Sequence, residues 1–129
     1  MTCYKYTKYA KTRISLSCEK LYFCDMKKQV QGLIDQGLML PLMEAFYTIQ
    51  GEGYHQGTAA YFIRVGGCDV GCHWCDVKAS WDADVHPPTA IEDLVSQAAE
   101  KSKLIVVTGG EPLMYNMDPL TEKLQEAGL

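Results

Sequence analysis

The hydrophobic pattern reads as strands over 43–49 and 59–65. In the second of these, Tyr61, Ile63 and Val65 share one face while Phe62 and Arg64 share the other. Polar, glycine-rich stretches follow each strand, 50–57 after the first and 66–78 after the second, and a connector then runs to Pro87 and Pro88. Ile91, Leu94, Val95, Ala98 and Ala99 recur at helical spacing, and Thr89 with Glu92 three residues on predicts a capping box at the start of that helix. Leu104 to Val107 is a β-branched run that predicts a buried strand over 104–108. The last helix is predicted from Asp118 as N-cap, Pro119 in its first turn, Leu120 and Leu124 on one face, and Gly128 past its end. Strand, helix, strand, helix in that order predicts parallel pairing and an α/β fold.

Upstream the texture changes. Met1 to Asp25 is rich in Tyr, Lys, Ser and Thr without a sustained period, whereas Val30, Leu33, Ile34 and Leu38 recur at helical spacing, weakened by Gly32 and Gly37. We expect an extension over 1–25, a helical or irregular segment over 26–41, and a core domain over 42–129, with translation starting at or near Met26.

With 129 residues, 47% of them apolar, the chain can bury one modest core. A formal net charge of −4 supplies no basic face for a phosphate backbone, which argues against nucleic acid as a direct partner. No apolar stretch is long enough to span a bilayer, and residues 1–25 lack a signal-peptide core, so a cytoplasmic location is expected. Six cysteines in a reducing compartment fit a metal or cluster protein better than a disulfide scaffold, although Cys3, Cys18 and Cys24 show no ligand spacing.

The chemistry is concentrated at Cys68, Cys72 and Cys75, spaced C-x3-C-x2-C in a loop where Gly66, Gly67 and Gly71 permit close approach of the backbone. A closed zinc site takes four ligands and a disulfide two. Three thiolates on a [4Fe-4S] cluster leave one iron open to a small-molecule ligand. Zinc completed by His73, His55 or His86, and a redox pair of Cys72 with Cys75, are the competing readings of the spacing alone. Downstream, Thr108-Gly109-Gly110-Glu111-Pro112 falls at the carboxyl end of a predicted strand, where α/β sheets bind ligands. By itself a Gly-Gly loop is more often a plain turn.

Taken in this order, the two motifs resemble the radical S-adenosylmethionine (SAM) superfamily. Glu44 to Tyr54, with its Gln50-Gly51-Glu52-Gly53 segment, and Tyr61 to Cys68 resemble the corresponding segments of its 7-carboxy-7-deazaguanine synthase family. The resemblance runs from about Met43 to the C-terminus. It implies a partial (βα) barrel of radical SAM type, truncated after the first few βα units. It also implies a carbon–nitrogen lyase that contracts 6-carboxy-5,6,7,8-tetrahydropterin to 7-carboxy-7-deazaguanine with release of ammonia, on the route to queuosine. Carried over by position, Cys68, Cys72 and Cys75 hold the [4Fe-4S] cluster; Trp74, Cys75, Asp76, Gly109, Gly110 and Glu111 contact S-adenosyl-L-methionine; and Ile49, Gln50, Gly51, Glu52, Arg64 and Thr108 hold the pterin. The family's partners would be a reductant such as flavodoxin or ferredoxin and, for the full-length protein, a second copy in a homodimer. The sequence departs from the family at Val77, where many members carry a Thr or Ser hydroxyl that helps coordinate Mg2+. Two alternatives stay open: another radical enzyme, such as a glycyl-radical activase, which shares the cluster loop but not the segment from Gln50 to Gly53, and a non-catalytic metal-binding fragment.

Overall fold

The computed structural model describes residues 16–129. Cys3 and most of the expected extension therefore lie outside the described residues. The first helix, α1, runs over Leu16–Asp35, through residue 25 without a break, and Gly37 at φ +73° turns the chain out of it. The change of composition at residue 25 is thus not a boundary in the backbone. Strand β1 (Met39–Ile49) follows, then β2 (Ala59–Val65), a three-residue β3 (Pro88–Ala90), α2 (Ile91–Ala99), β4 (Ile105–Gly109) and α3 (Asp118–Glu126).

Among the described residues the strands form one sheet in the order β3-β1-β2-β4. Only β2 and β4 are parallel, with α2 in the crossover between them; β1 is antiparallel to both β2 and β3. The expectation of parallel pairing for the strand-helix-strand unit holds, while β1, joined to β2 by a loop without a helix, is antiparallel to it. The loop of residues 50–58 is short enough to return the chain as a hairpin, and its ends are tied by Gln50 N–H to Thr58 O at 2.8 Å and Gly57 N–H to Gln50 O at 2.8 Å.

Two predicted caps are absent. Thr89 pairs with Leu40 as part of β3, so its hydroxyl bonds to Pro87 O instead of capping α2, whose N-cap is Ala90. The need to cover the edge of β1 outweighs the local capping signal. Met117, not Asp118, is the N-cap of α3, and Asp118 lies inside the first turn with Pro119.

The core lies on one face of the sheet. Tyr61, Ile63 and Val65 of β2 meet Leu40 of β1, Ile91, Leu94 and Ala98 of α2, and Leu120 and Leu124 of α3. The stripes predicted for α2 and α3 are therefore what buries this face, apart from Ala99, which is exposed. The opposite, open face carries Phe46, Phe62, Arg64, Val106 and Thr108, all only half-buried. No described helix is long and apolar enough to cross a membrane.

Candidate functional site

Val65 and Gly109 are partners in the parallel register, so the cysteine loop and the Gly-Gly loop leave neighbouring strands at the same, carboxyl, end. Backbone hydrogen bonds join the two. Gly110 N–H donates to Val65 O and Glu111 N–H to Gly67 O, both at 2.8 Å. The cysteine loop is held on its other side by Gly66 N–H to Pro41 O (2.8 Å), Gly67 N–H to Ser80 O (2.6 Å) and Cys68 N–H to Trp81 O (3.2 Å). This contact explains why β4 ends in glycine and is followed by another. Gly109 sits at φ +119°, and a Cβ on Gly110 would strike the Gly67 carbonyl oxygen and lie 2.6 Å from its carbon.

Two side chains brace this junction, Tyr115, which carries no local signal for it, and His86, considered above only as a zinc ligand. Tyr115 donates from its hydroxyl to Gly66 O at 2.7 Å, and burial raises its pKa above the ordinary phenol value. The ring of His86 packs against Gly66, with Nε2 3.0 Å from Ala79 O. His86 is therefore half-buried and engaged at the junction. Long sequence separation hides both: Tyr115 lies 49 residues from its partner Gly66.

Cys68, Cys72 and Cys75 are free thiols, half-buried on one loop, with a turn closed by Cys75 N–H to Cys72 O at 3.0 Å. Among the described residues no three side chains of His, Cys, Asp and Glu gather as a metal-holding group, so the thiols share a loop without being drawn to one point. None of the histidines considered as a fourth zinc ligand joins them: His55 stacks edge-on to Tyr54 in the far hairpin, His73 edge-on to Trp74, and His86 is held at Ala79. Three free thiols within eight residues are the donor set that a cluster keeping one vertex for another ligand would take. Trp74 is three-quarters exposed and Asp76 is exposed, so both stand where a ligand can meet them. Glu111 has one carboxylate oxygen engaged, Oε1 accepting from Leu113 N–H at 2.9 Å. Beside the loop, Trp81 Nε1 is a buried donor with no partner, and the Lys78 ammonium lies 5.7 Å from the centre of the same ring.

On the open face, Arg64 and Thr108 are register partners at the cysteine-loop end of β2 and β4. Phe46 and Phe62 stack with centroids 5.4 Å apart, Arg64 lies over Phe46 at 5.6 Å, and its Nη1 bonds to Glu44 Oε1. Ile49, Gln50, Gly51 and Glu52 are elsewhere. Ile49 pairs with Ala59, at the opposite end of β2 from Arg64, a separation of roughly 17 Å along the strand. A cleft of about 730 Å³ lies apart from both groups, between α1 and the segments around His86 and Tyr115, and none of the three cysteines lines it.

The sequence model of the Radical SAM superfamily matches residues 62–128, from within β2 to just past α3. This chain belongs to the radical SAM superfamily. Its superfamily-defining region is therefore the βα unit that carries the cysteine loop at one strand end and the Gly-Gly loop at the next. Among proteins similar to this radical SAM chain, the 7-carboxy-7-deazaguanine synthase of Flavobacterium psychrophilum is 62% identical over 104 residues, covering 81% of this chain and 50% of that protein. The 7-carboxy-7-deazaguanine synthase of Synechocystis sp. is 48% identical over 90 residues, covering 69% of this chain and 43% of that protein. The crystal structure of QueE from Escherichia coli superposes with a TM-score of 0.66 at 33% identity, covering 74% of this chain and 51% of that one. The radical SAM chain described here thus spans about half the length of the curated relatives it matches.

Proposed function

We propose that the chain carries the cluster-binding portion of a 7-carboxy-7-deazaguanine synthase, acting on 6-carboxy-5,6,7,8-tetrahydropterin and releasing ammonia. The observation that carries this reading is the lacing of the cysteine loop to the Gly-Gly loop at one end of a parallel strand pair, in a chain 62% identical to a relative of that name. Residues 42–129 are read as the first part of the core domain, with α1 outside it. When bound, a [4Fe-4S] cluster and S-adenosylmethionine supply one-electron cleavage of a carbon–sulfur bond and a carbon-centred radical.

The protein's own part is binding, orientation and exclusion of water. Cys68, Cys72 and Cys75 hold the cluster in this reading. Trp74, Asp76 and the backbone of Gly109 and Gly110 line the nucleoside and methionyl groups. Glu111 keeps one carboxylate oxygen beyond the bond to Leu113, which can accept from an ammonium group. Arg64 offers a planar fork to the pterin carboxylate, and Thr108 stands beside it with a hydroxyl. For Ile49, Gln50, Gly51 and Glu52 to touch the same pterin, the 50–58 hairpin loop has to fold over the open face, where a substrate would lie on Phe46 and Phe62.

A Mg2+ ion beside the cofactor would draw its oxygens from Asp76, backbone carbonyls and water, since the Val77 side chain offers none. The same reading places the protein in the cytoplasm as a homodimer supplied with electrons by a flavodoxin or ferredoxin. The test is turnover by the intact protein, reconstituted with iron and sulfide without oxygen, reduced, and given S-adenosylmethionine and 6-carboxytetrahydropterin. Formation of 7-carboxy-7-deazaguanine with one ammonia per turn is the expected outcome. Cleavage of S-adenosylmethionine without any deazaguanine rejects the substrate assignment, and a colourless protein holding one tight zinc rejects the cluster.

A further inference from the structure

The open face of the sheet contains an irregularity that puts a carboxylate opposite the guanidinium. Leu42 pairs with Val65, but Glu44 pairs with Arg64, so a bulge at Met43 shifts the register by one residue. An unbroken ladder continuing from Leu42 would set Met43 across from Arg64. The extra residue re-aims the strand, and from Glu44 onward Glu44 and Phe46 share the open face with Arg64 and Phe62. Bulges of this kind concentrate near functional sites because they redirect a single side chain.

The guanidinium is then located by two contacts. Nη1 donates to Glu44 Oε1, and Cζ lies 5.6 Å from the centre of the Phe46 ring, itself stacked on Phe62. Among the described residues Arg64 has no other hydrogen-bond partner. The Glu44 contact consumes one terminal nitrogen and leaves the Nε–Nη2 edge, the pair of parallel N–H groups that matches a carboxylate in bidentate fashion. An ordinary exposed ion pair contributes little to stability, so a bulge maintained to create one calls for another explanation.

We propose that Glu44 is a positioning residue: it anchors Nη1 of Arg64 so that the Nε–Nη2 edge is presented to the carboxylate of the substrate. The proposal rests on the pterin reading of Arg64 given above. Glu44 touches neither substrate nor cofactor in this scheme, and it acts through the arginine as a hydrogen-bond acceptor.

The experiment uses the intact, cluster-loaded protein with S-adenosylmethionine bound. It compares dissociation constants for 6-carboxytetrahydropterin and for tetrahydropterin lacking the carboxylate. The ratio of the two isolates recognition of the carboxylate from general damage to the fold, which would weaken both ligands together. Arg64→Ala should abolish the preference for the carboxylated ligand. Glu44→Ala should reduce it by about tenfold, the value of one charge-assisted hydrogen bond. Glu44→Gln keeps an acceptor oxygen in the same place and should retain most of the preference. If Arg64→Ala leaves the preference intact, the pterin reading of Arg64 fails and the proposal falls with it. If Arg64→Ala abolishes the preference while Glu44→Ala preserves it, Arg64 stands as the ligand and the role of Glu44 is overturned. Loss in Glu44→Gln equal to that in Glu44→Ala likewise overturns positioning through the hydrogen bond.

Discussion

Replacing Gly110 by Ala should separate the two loops that define the site. The backbone of Gly110 has an ordinary φ, so the penalty is steric. Its new methyl would strike the carbonyl oxygen of Gly67 and lie 2.6 Å from the carbonyl carbon and 3.2 Å from Ser80 O. These are backbone atoms, which cannot swing aside as a side chain can. Relief requires the Gly-Gly loop to move away from the cysteine loop, which lengthens the bonds from Gly110 N–H to Val65 O and from Glu111 N–H to Gly67 O. Losing two such bonds costs about 2 kcal/mol and overpacking adds about 1–3 kcal/mol, so a destabilisation of about 3–5 kcal/mol is expected. That is a large fraction of the stability of a typical domain, about 5–15 kcal/mol. Urea denaturation of the intact protein followed by circular dichroism measures it. Gly51→Ala is the matched control: a Cβ there meets nothing within 4 Å and φ is not positive, so its midpoint should stay within about 0.5 kcal/mol of the parent. A Gly110→Ala protein less than about 1 kcal/mol weaker than the parent would refute the steric argument for the Gly-Gly pair.

Other perturbations test separate parts of the structure. Tyr115→Phe removes the donor to Gly66 O and should cost about 1 kcal/mol at neutral pH. Burial raises the pKa of Tyr115 in the folded state, so its contribution is fully present below the unfolded value of about 10 and is lost as pH rises through the folded one. Burial acts in the same direction on Tyr61. The alkaline fall in stability should accordingly become shallower in Tyr115→Phe, and an unchanged alkaline limb would count against this assignment. Glu92 has its pKa lowered first by its own backbone N–H and then by the Lys123 side chain 3.3 Å away. Its contribution is present above the unfolded pKa and fades as pH falls through the lowered one. In Lys123→Ala, a carboxyl titration by NMR should move part of the way up, and no movement would remove the ion pair from the account. Leu94→Ala should cost about 2–5 kcal/mol in the same urea assay, because Leu94 is wholly buried between α2 and the sheet; a loss below about 1 kcal/mol would mean that this face is not the core.

Elements with a strong local period were legible from the chain. The face of β2 that carries Tyr61, Ile63 and Val65, the stripe of α2 and the Leu120–Leu124 pair of α3 all bury as their spacing predicts. The cysteine spacing and the Gly-Gly dipeptide were legible too, because each is confined to a few consecutive residues. Boundaries governed by pairing were not. Thr89 carries a capping signal but is recruited to a strand, since the backbone groups of β1 near Leu40 gain more from a partner than α2 gains from a cap. The bulge at Met43 has no local signature: it appears only when β1 is set against β2.

Spacing along the chain was sufficient to bring three thiols onto one short loop and to put Arg64 on the face opposite the core, because both follow from local geometry of loop and strand. Folding was needed to bring Gly110 against Gly67, Tyr115 onto Gly66 and Glu44 onto Arg64, since these contacts join segments between 20 and 49 residues apart and depend on strand order and register. Folding also places Ile49 and Arg64, which the resemblance assigns to one substrate, at opposite ends of the β1–β2 pair. The difference is physical: a period constrains neighbours on one element, whereas contacts between elements arise from how a whole sheet is paired and covered.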